Sequence, residues 1–280
     1  MFFGFLEPLF FMSKQKDKNN MSFIEHLGEL RWHLMRSVVA VLLFSVLAFL
    51  LPIFDEIFLA VKEPDFPTYR FFCWLSGLMG GSVFCFEEVP IQVMNTKMAG
   101  QFQMHLWMSF VSGLILAFPY VFWEIWRFIQ PGLRQNEKKS SRGVIFFTTL
   151  LFLFGVLFGY YIISPLSIQF LGTYQLSAEI ANMIDMSNYI NLISSVTLAT
   201  GLLFQLPIVV YFLSRLSIVT PDLLKKYRRH AIVIILSISA IITPPDITSQ
   251  VLVTVPVVLL YQLSIFISRR VIKKAKAANE

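Results

Sequence analysis

Residues 34–53 read LMRSVVAVLLFSVLAFLLPI, and Arg36 is the one charged residue among them. At 1.5 Å per residue, a helix of that length measures about 30 Å, the thickness of the hydrocarbon core of a bilayer. The run Val38 to Leu43 has no polar alternation, as a barrel strand would need, and an open sheet edge cannot satisfy its backbone groups in lipid. A membrane-spanning helix is the remaining choice. The same kind of block recurs at about 106–126, 143–163, 190–213, 231–243 and 250–267. Composition agrees: 56% of the 280 residues are hydrophobic and 14% charged, well below the roughly 25% charged of a soluble domain. The expected fold is an all-α polytopic membrane protein with six transmembrane helices.

Charge orients the helices. Lys14, Lys16, Lys18, Arg31 and Arg36 precede or open the first span, and Arg127, Arg134, Lys138, Lys139 and Arg142 lie between the second and third. Arg215, Lys225, Lys226, Arg228 and Arg229 separate the fourth and fifth, and Arg269, Arg270, Lys273, Lys274 and Lys276 follow the sixth. The opposite set of segments holds only Lys62, Arg70 and Lys97, so twenty of the 23 basic residues fall on one side. Positive loops stay in the cytoplasm, which puts both termini there. The net charge of +6 then reflects loops lying against an anionic inner leaflet, and no nucleic acid is needed to explain it.

Residues 1–20 read as a disordered tail: the apolar Met1 to Phe11 is too short to span and lacks the basic leader and cleavage site of a signal peptide. Ser22 with Glu25 fits a capping box, and Phe23, Leu27, Leu30 and Leu34 recur at helical spacing, so a short amphipathic helix is expected before the first span. Residues 54–100 are acidic, interrupted by Gly77, Gly80 and Gly81, and read as a cap over the outer face, not as a seventh span. Both cysteines, Cys73 and Cys85, lie there, either bridged in an oxidising compartment or as two thiols among aromatic side chains. The second outer loop, about 164–189, opens with Pro165, and Thr243-Pro244-Pro245-Asp246 makes a tight turn between the last two spans. The membrane domain runs over 21–270, followed by a basic cytoplasmic tail at 271–280. The fifth span has only about thirteen apolar residues, or about 20 Å of helix, so the bilayer is expected to thin around the last two spans.

No phosphate-cradling glycine motif with lysine is present, which argues against nucleotide hydrolysis. The four histidines and two cysteines lack ligand spacing, so neither metal nor cofactor is expected. No span serine has a nameable base, so an enzyme is not expected. Polar residues in costly places remain. Gln205 in the fourth span is either an interhelical hydrogen bonder or a partner contact. Glu124 is an interfacial ion pair with Arg127 or a proton relay. Asp246 is a helix cap or part of an outer gate. Glu29 and Glu137 read individually as solvated carboxylates, yet both sit in a basic inner face, where a ligand with paired guanidinium groups would find forked hydrogen bonds.

His26-Leu27-Gly28-Glu29-Leu30-Arg31, Phe118-Pro119 and Pro131-Gly132-Leu133-Arg134-Gln135-Asn136-Glu137 resemble the TatC family of the twin-arginine translocase. So do Phe204-Gln205-Leu206-Pro207, Arg228-Arg229 and Thr243-Pro244-Pro245-Asp246 with Ser249-Gln250. The resemblance runs in order from about Met21 to Arg270. It implies a concave, cupped bundle in a bacterial inner membrane that acts with single-span TatA and TatB partners. Folded cargo would be exported on the proton-motive force. It also implies that Glu29 and Glu137 hold the two arginines of a signal peptide, with Arg31 shaping the patch, and that Thr243 and Gln250 lie where a partner helix docks. Gln205 would face the concave side; other members often carry glutamate there. His33 stands where the family usually has a basic residue, and the first outer loop, about Phe66 to Gln92, is longer than is common. The competing reading is a small secondary transporter with a midplane site, which predicts corresponding halves that are not visible here.

Overall fold

The structure is a computed structural model that describes residues 23–63, 65–78, 93–130, 141–177, 182–216, 218–243 and 247–277. Helix α1 covers Phe23–Leu50 without a break. The expected amphipathic helix is therefore the first two turns of the first span and not a separate element. No proline interrupts the segment, and Glu29, Leu30, Arg31, Leu34 and Met35 are good helix formers. Leu34, Val38, Leu42, Val46 and Leu50 recur every fourth residue and are 50 to 69% exposed, an uninterrupted apolar stripe of the kind that faces lipid.

Two short helices follow, α2 (Ile53–Ala60) and α3 (Pro67–Leu78), in the segment expected to cap the outer face. Helix α4 (Gly100–Ile129) contains Pro119. Helix α5 (Ser141–Phe158) passes through a π-helical turn, Gly159–Ile163, into α6 (Ser164–Thr173). Helix α7 (Met186–Leu203) breaks at Phe204 and Gln205 before α8 (Leu206–Arg215), which carries Pro207 in its first turn. After α9 (Pro221–Lys226) and α10 (Arg228–Ile242), α11 runs over Ile247–Ala277, so the helix extends into the segment read as a basic tail. Strands β1 (Val93–Met94) and β2 (Ile184–Asp185) pair in parallel, Val93 with Ile184 and Met94 with Asp185.

Among the described residues, five stretches are long and apolar enough to cross a bilayer: Gly28–Leu50, Gly100–Ile129, Gly143–Thr173, Met186–Arg215 and Ser249–Lys273. The chain is thus a predominantly helical, multi-pass membrane protein. Helix α10 has 15 residues, about 22 Å, and falls short of that length. The third stretch corrects the boundary expected at residue 164. Pro165 does not open a loop; it sits in the first turn of α6, where a missing N–H is tolerated. The carbonyl four residues earlier, Tyr161 O, would otherwise lose its helical donor, and the Thr68 hydroxyl of α3 donates to it instead.

The α2–α3 segment expected to form the outer cap is fastened to the spans by similar bonds. Tyr160 OH donates to Ile57 O at 2.5 Å, Tyr189 OH to Phe58 O at 3.2 Å, and Tyr69 OH to Pro165 O at 3.3 Å. Burial pushes the Tyr69 hydroxyl up to about 12, so it stays a donor at any physiological pH. Phe58, Val61 and Phe66 of the cap pack with Met104, Met108 and Val111 of α4 and with Ile190 and Ile193 of α7. A second core joins Val210, Leu224, Ile235, Val253, Val257, Tyr261 and Ile265 around α11.

Helix α1 leans on one neighbour, α4, which forms the most extensive helix pair in the structure. The two backbones meet at Gly113: a Cβ there would lie 2.5 Å from Ser45 N and 2.6 Å from Ser45 Cα. Only glycine admits that approach.

Candidate functional site

The N-terminal turns of α1 bring Glu29 and Arg31 to the basic end of the bundle, Glu29 partly buried and Arg31 exposed. Glu137, with the rest of Pro131 to Glu137, lies outside the described residues, as do Asp246, Cys85 and residues 1–20. Helix α4 runs antiparallel beside α1 and ends at Ile129, so the chain leading to Glu137 departs from the same end at which Glu29 stands.

Between these two elements the structure builds a polar cluster. Glu124 on α4 is 1% exposed. Its Oε2 accepts a hydrogen bond from His33 Nδ1 of α1, and its Oε1 accepts from Tyr120 OH at 3.1 Å. Arg127 Nη1 stands 3.9 Å from Oε1 and its guanidinium lies 4.9 Å from the Trp123 ring centroid. A carboxylate this buried costs several kcal/mol unless it is paired, and the histidine and tyrosine supply the pairing. The ion pair with Arg127 expected from sequence is therefore the longer of the carboxylate's contacts, and the interhelical partner, His33, is one that single-residue reasoning missed. A signal existed. His33 lies just before the first apolar block and Glu124 just before the end of the second, and antiparallel neighbours put such positions at one depth.

Gln205, Thr243 and Gln250 make their described bonds elsewhere. Gln205 Nε2 donates to Thr148 O of α5 at 3.3 Å, while its Oε1 is buried with no hydrogen-bond partner among the described residues. An amide satisfied on one side only retains an acceptor for another donor. Thr243 ends α10 and its hydroxyl donates to Ser239 O at 2.9 Å; Gln250 Nε2 reaches back from α11 to Leu236 O at 3.3 Å. The first bond lies within α10 and the second joins the start of α11 to α10. Cys73 lies on α3, and no free cysteine is found among the described residues.

Before the fourth apolar stretch, Asp185 caps α7. Its carboxylate accepts from the Ser187 hydroxyl, from Ser187 N at 2.9 Å and from Thr96 Oγ1 at 2.8 Å. These bonds, that from the Ser187 hydroxyl foremost, lower its pKa to about 2. The cap thus ties β1, β2 and α7 together through one ionised group.

Comparison with known proteins adds an independent line. Residues 25–256 match the family described as Sec-independent protein translocase protein (TatC). The chain is 42% identical over 264 residues to the TatC protein of Blattabacterium sp. subsp. Periplaneta americana, covering 93% of this chain and 99% of that protein. It is 31% identical over 260 residues to the TatC protein of Halalkalibacterium halodurans, covering 93% and 94%. A crystal structure of the twin-arginine translocase receptor TatC superposes with a TM-score of 0.68 at 30% identity, covering 88% of this chain and 99% of that one. A structure of that receptor in DDM gives 0.69 at 31%, covering 87% and 99%.

Proposed function

This chain belongs to the TatC family, as a multi-pass membrane component of a Sec-independent protein translocase, and on that premise we propose that it receives twin-arginine signal peptides on its basic face. Glu29, assisted by Arg31, and Glu137 hold the two arginines. The observation that carries this reading is the placement of Glu29 at the end of α1, packed on the helix that leads into the Glu137 loop. Two carboxylates in a field of lysines and arginines give a dicationic ligand its favourable contacts, and the planar guanidinium fork makes arginine the better fit than lysine.

Export then proceeds on the proton-motive force, with single-span partners of the TatA and TatB type. Helix α10 is the fifth of six crossings, and with an even count and the basic loops inside both termini lie in the cytoplasm, the protein sitting in a bacterial inner membrane. The shortness of α10 supports local bilayer thinning. Thr243, Asp246 and Gln250 at the outer turn receive a partner helix, and the open acceptor of Gln205 offers a contact within the membrane. Cys73 and Cys85 form a bridge in the outer cap, a reading supported by the absence of a free thiol at Cys73 and by the chain having only two cysteines. The secondary-transporter reading is not favoured by the family match.

Photocrosslinking tests the central assignment. A twin-arginine peptide carrying a crosslinker beside its arginines should label residues 23–33 and 131–140. Labelling confined to the opposite end of the bundle would reject it.

A further inference from the structure

We propose that His33 and Glu124 form a positioning clasp that sets the rotation of α1 on α4, and with it the position of Glu29 relative to the end of α4. This rests on the reading that Glu29 and Glu137 hold the arginine pair.

Helix α1 packs chiefly on α4, so little else fixes its rotation about its own axis. Gly113 and Ser45 bring the backbones together mid-helix but supply no directional bond between them. At the far end, His105 stacks on Phe49 with centroids 4.2 Å apart and its Nε2 lies 3.4 Å from Asp55. At the basic end the directional contact is His33 with Glu124. His33 follows Glu29 by four residues, so the two share one face of α1. The histidine ring also meets Phe128 edge-on at 6.3 Å, next to the last residue of α4. A helix side chain ends roughly 6 Å from its axis, so a 20° rotation of α1 would carry the Glu29 carboxylate about 2 Å. That displacement breaks a charge-assisted hydrogen bond.

Packing alone does not explain the pair. An apolar residue of similar volume at a buried charged position is often neutral or stabilising, whereas a buried polar contact of fixed geometry holds a register. The charged and titratable groups around the clasp are Tyr120 and Arg127 on α4 and Arg36 on α1, the last within electrostatic reach of Tyr120.

The test uses the full-length protein in lipid nanodiscs. Affinity is measured for a twin-arginine peptide and for the same peptide with one arginine replaced by lysine, alongside thermal stability. His33→Ala and Glu124→Gln should each weaken the twin-arginine peptide about tenfold and reduce its advantage over the arginine-lysine peptide, and the double variant should lose no more than either single one. His33→Arg should restore both affinity and preference, because a guanidinium can fork onto the same carboxylate. Glu124→Gln keeps the side chain's shape and so reports even if His33→Ala does not fold. Parent-like affinity and preference in Glu124→Gln and in any folded His33→Ala, with binding lost in Glu29→Gln, would overturn the clasp and leave the site standing. Parent-like binding in Glu29→Gln would overturn both.

Discussion

Replacing Gly113 by alanine should loosen the first span from the rest of the protein. The added Cβ would lie 2.3 Å from Ser45 Oγ, 2.5 Å from Ser45 N and 2.6 Å from Ser45 Cα. The hydroxyl can rotate away; the two backbone atoms cannot. Ordinary contact needs about 3.4 Å or more, so α1 must retreat from α4 by nearly 1 Å along the line where the two helices meet. Forced overpacking of this kind costs about 1 to 3 kcal/mol. For a chain of this size that is a fall of roughly 2 to 8 °C in melting temperature. Gly143 supplies the control, since nothing lies within 4 Å of a Cβ built there. Gly143→Ala should be neutral or slightly stabilising, because alanine is the better helix former by about 1 kcal/mol. The assay is thermal unfolding of parent, Gly113→Ala, Gly143→Ala and Ser45→Ala/Gly113→Ala in one detergent. Equal melting temperatures for parent and Gly113→Ala would refute the close approach. Full rescue by Ser45→Ala would do so too, because removing the hydroxyl leaves the backbone clash in place.

Other outcomes follow from separate features. Ser214 Oγ donates to Ser268 Oγ at 2.7 Å between α8 and α11, both buried; Ser214→Ala should cost about 0.6 to 1.5 kcal/mol and Ser214→Ala/Ser268→Ala less, measured by unfolding in detergent. Asp185 has its folded pKa lowered to about 2 by the Ser187 and Thr96 bonds. Its contribution should therefore be complete above the unfolded value near 4 and fade as pH falls toward 2, so the stability gap between parent and Asp185→Asn should shrink over that window. Oxidised protein should resist alkylation at Cys73 and Cys85 until it is reduced, and labelling of either before reduction would exclude the bridge. Four leucines inserted into α10 should restore its reach to about 30 Å and impair export of a reporter; unimpaired export would remove the thinning hypothesis.

Five of the six expected spans were legible because lipid imposes a simple rule on composition. Residues 34–53 declare themselves by carrying one charge. Proline was the less reliable guide. Pro119 lies inside α4 without ending it, and Pro165 is accommodated by a π-helical turn and by a hydroxyl from α3, a partner more than ninety residues away that local pattern does not reveal. The separate surface helix expected before the first span is continuous with it, since amphipathic periodicity shows a polar face but not a break. The β1 and β2 pairing involves two residues each, too few to leave an alternating pattern. At the candidate site, Glu29, Arg31, Gln205, Thr243 and Gln250 were recognisable by motif, and the partners of the last three, Thr148, Ser239 and Leu236, are backbone carbonyls that any residue could have supplied. His33 and Glu124 were each noticed singly. Their contact required knowing that α1 and α4 lie side by side.

The most direct test of the account is the affinity of a twin-arginine signal peptide for the purified protein and for Glu29→Gln, Glu137→Gln and the double variant. A charge-assisted bond contributes about 1.5 to 3 kcal/mol, so each single variant should bind roughly ten- to a hundredfold more weakly while keeping its helical content and melting temperature. The arginine-to-lysine peptide should lose affinity for the parent and lose little more for the double variant, since the carboxylates that discriminate are gone. If the double variant bound the twin-arginine peptide as tightly as the parent, these carboxylates would not be the signal-binding groups.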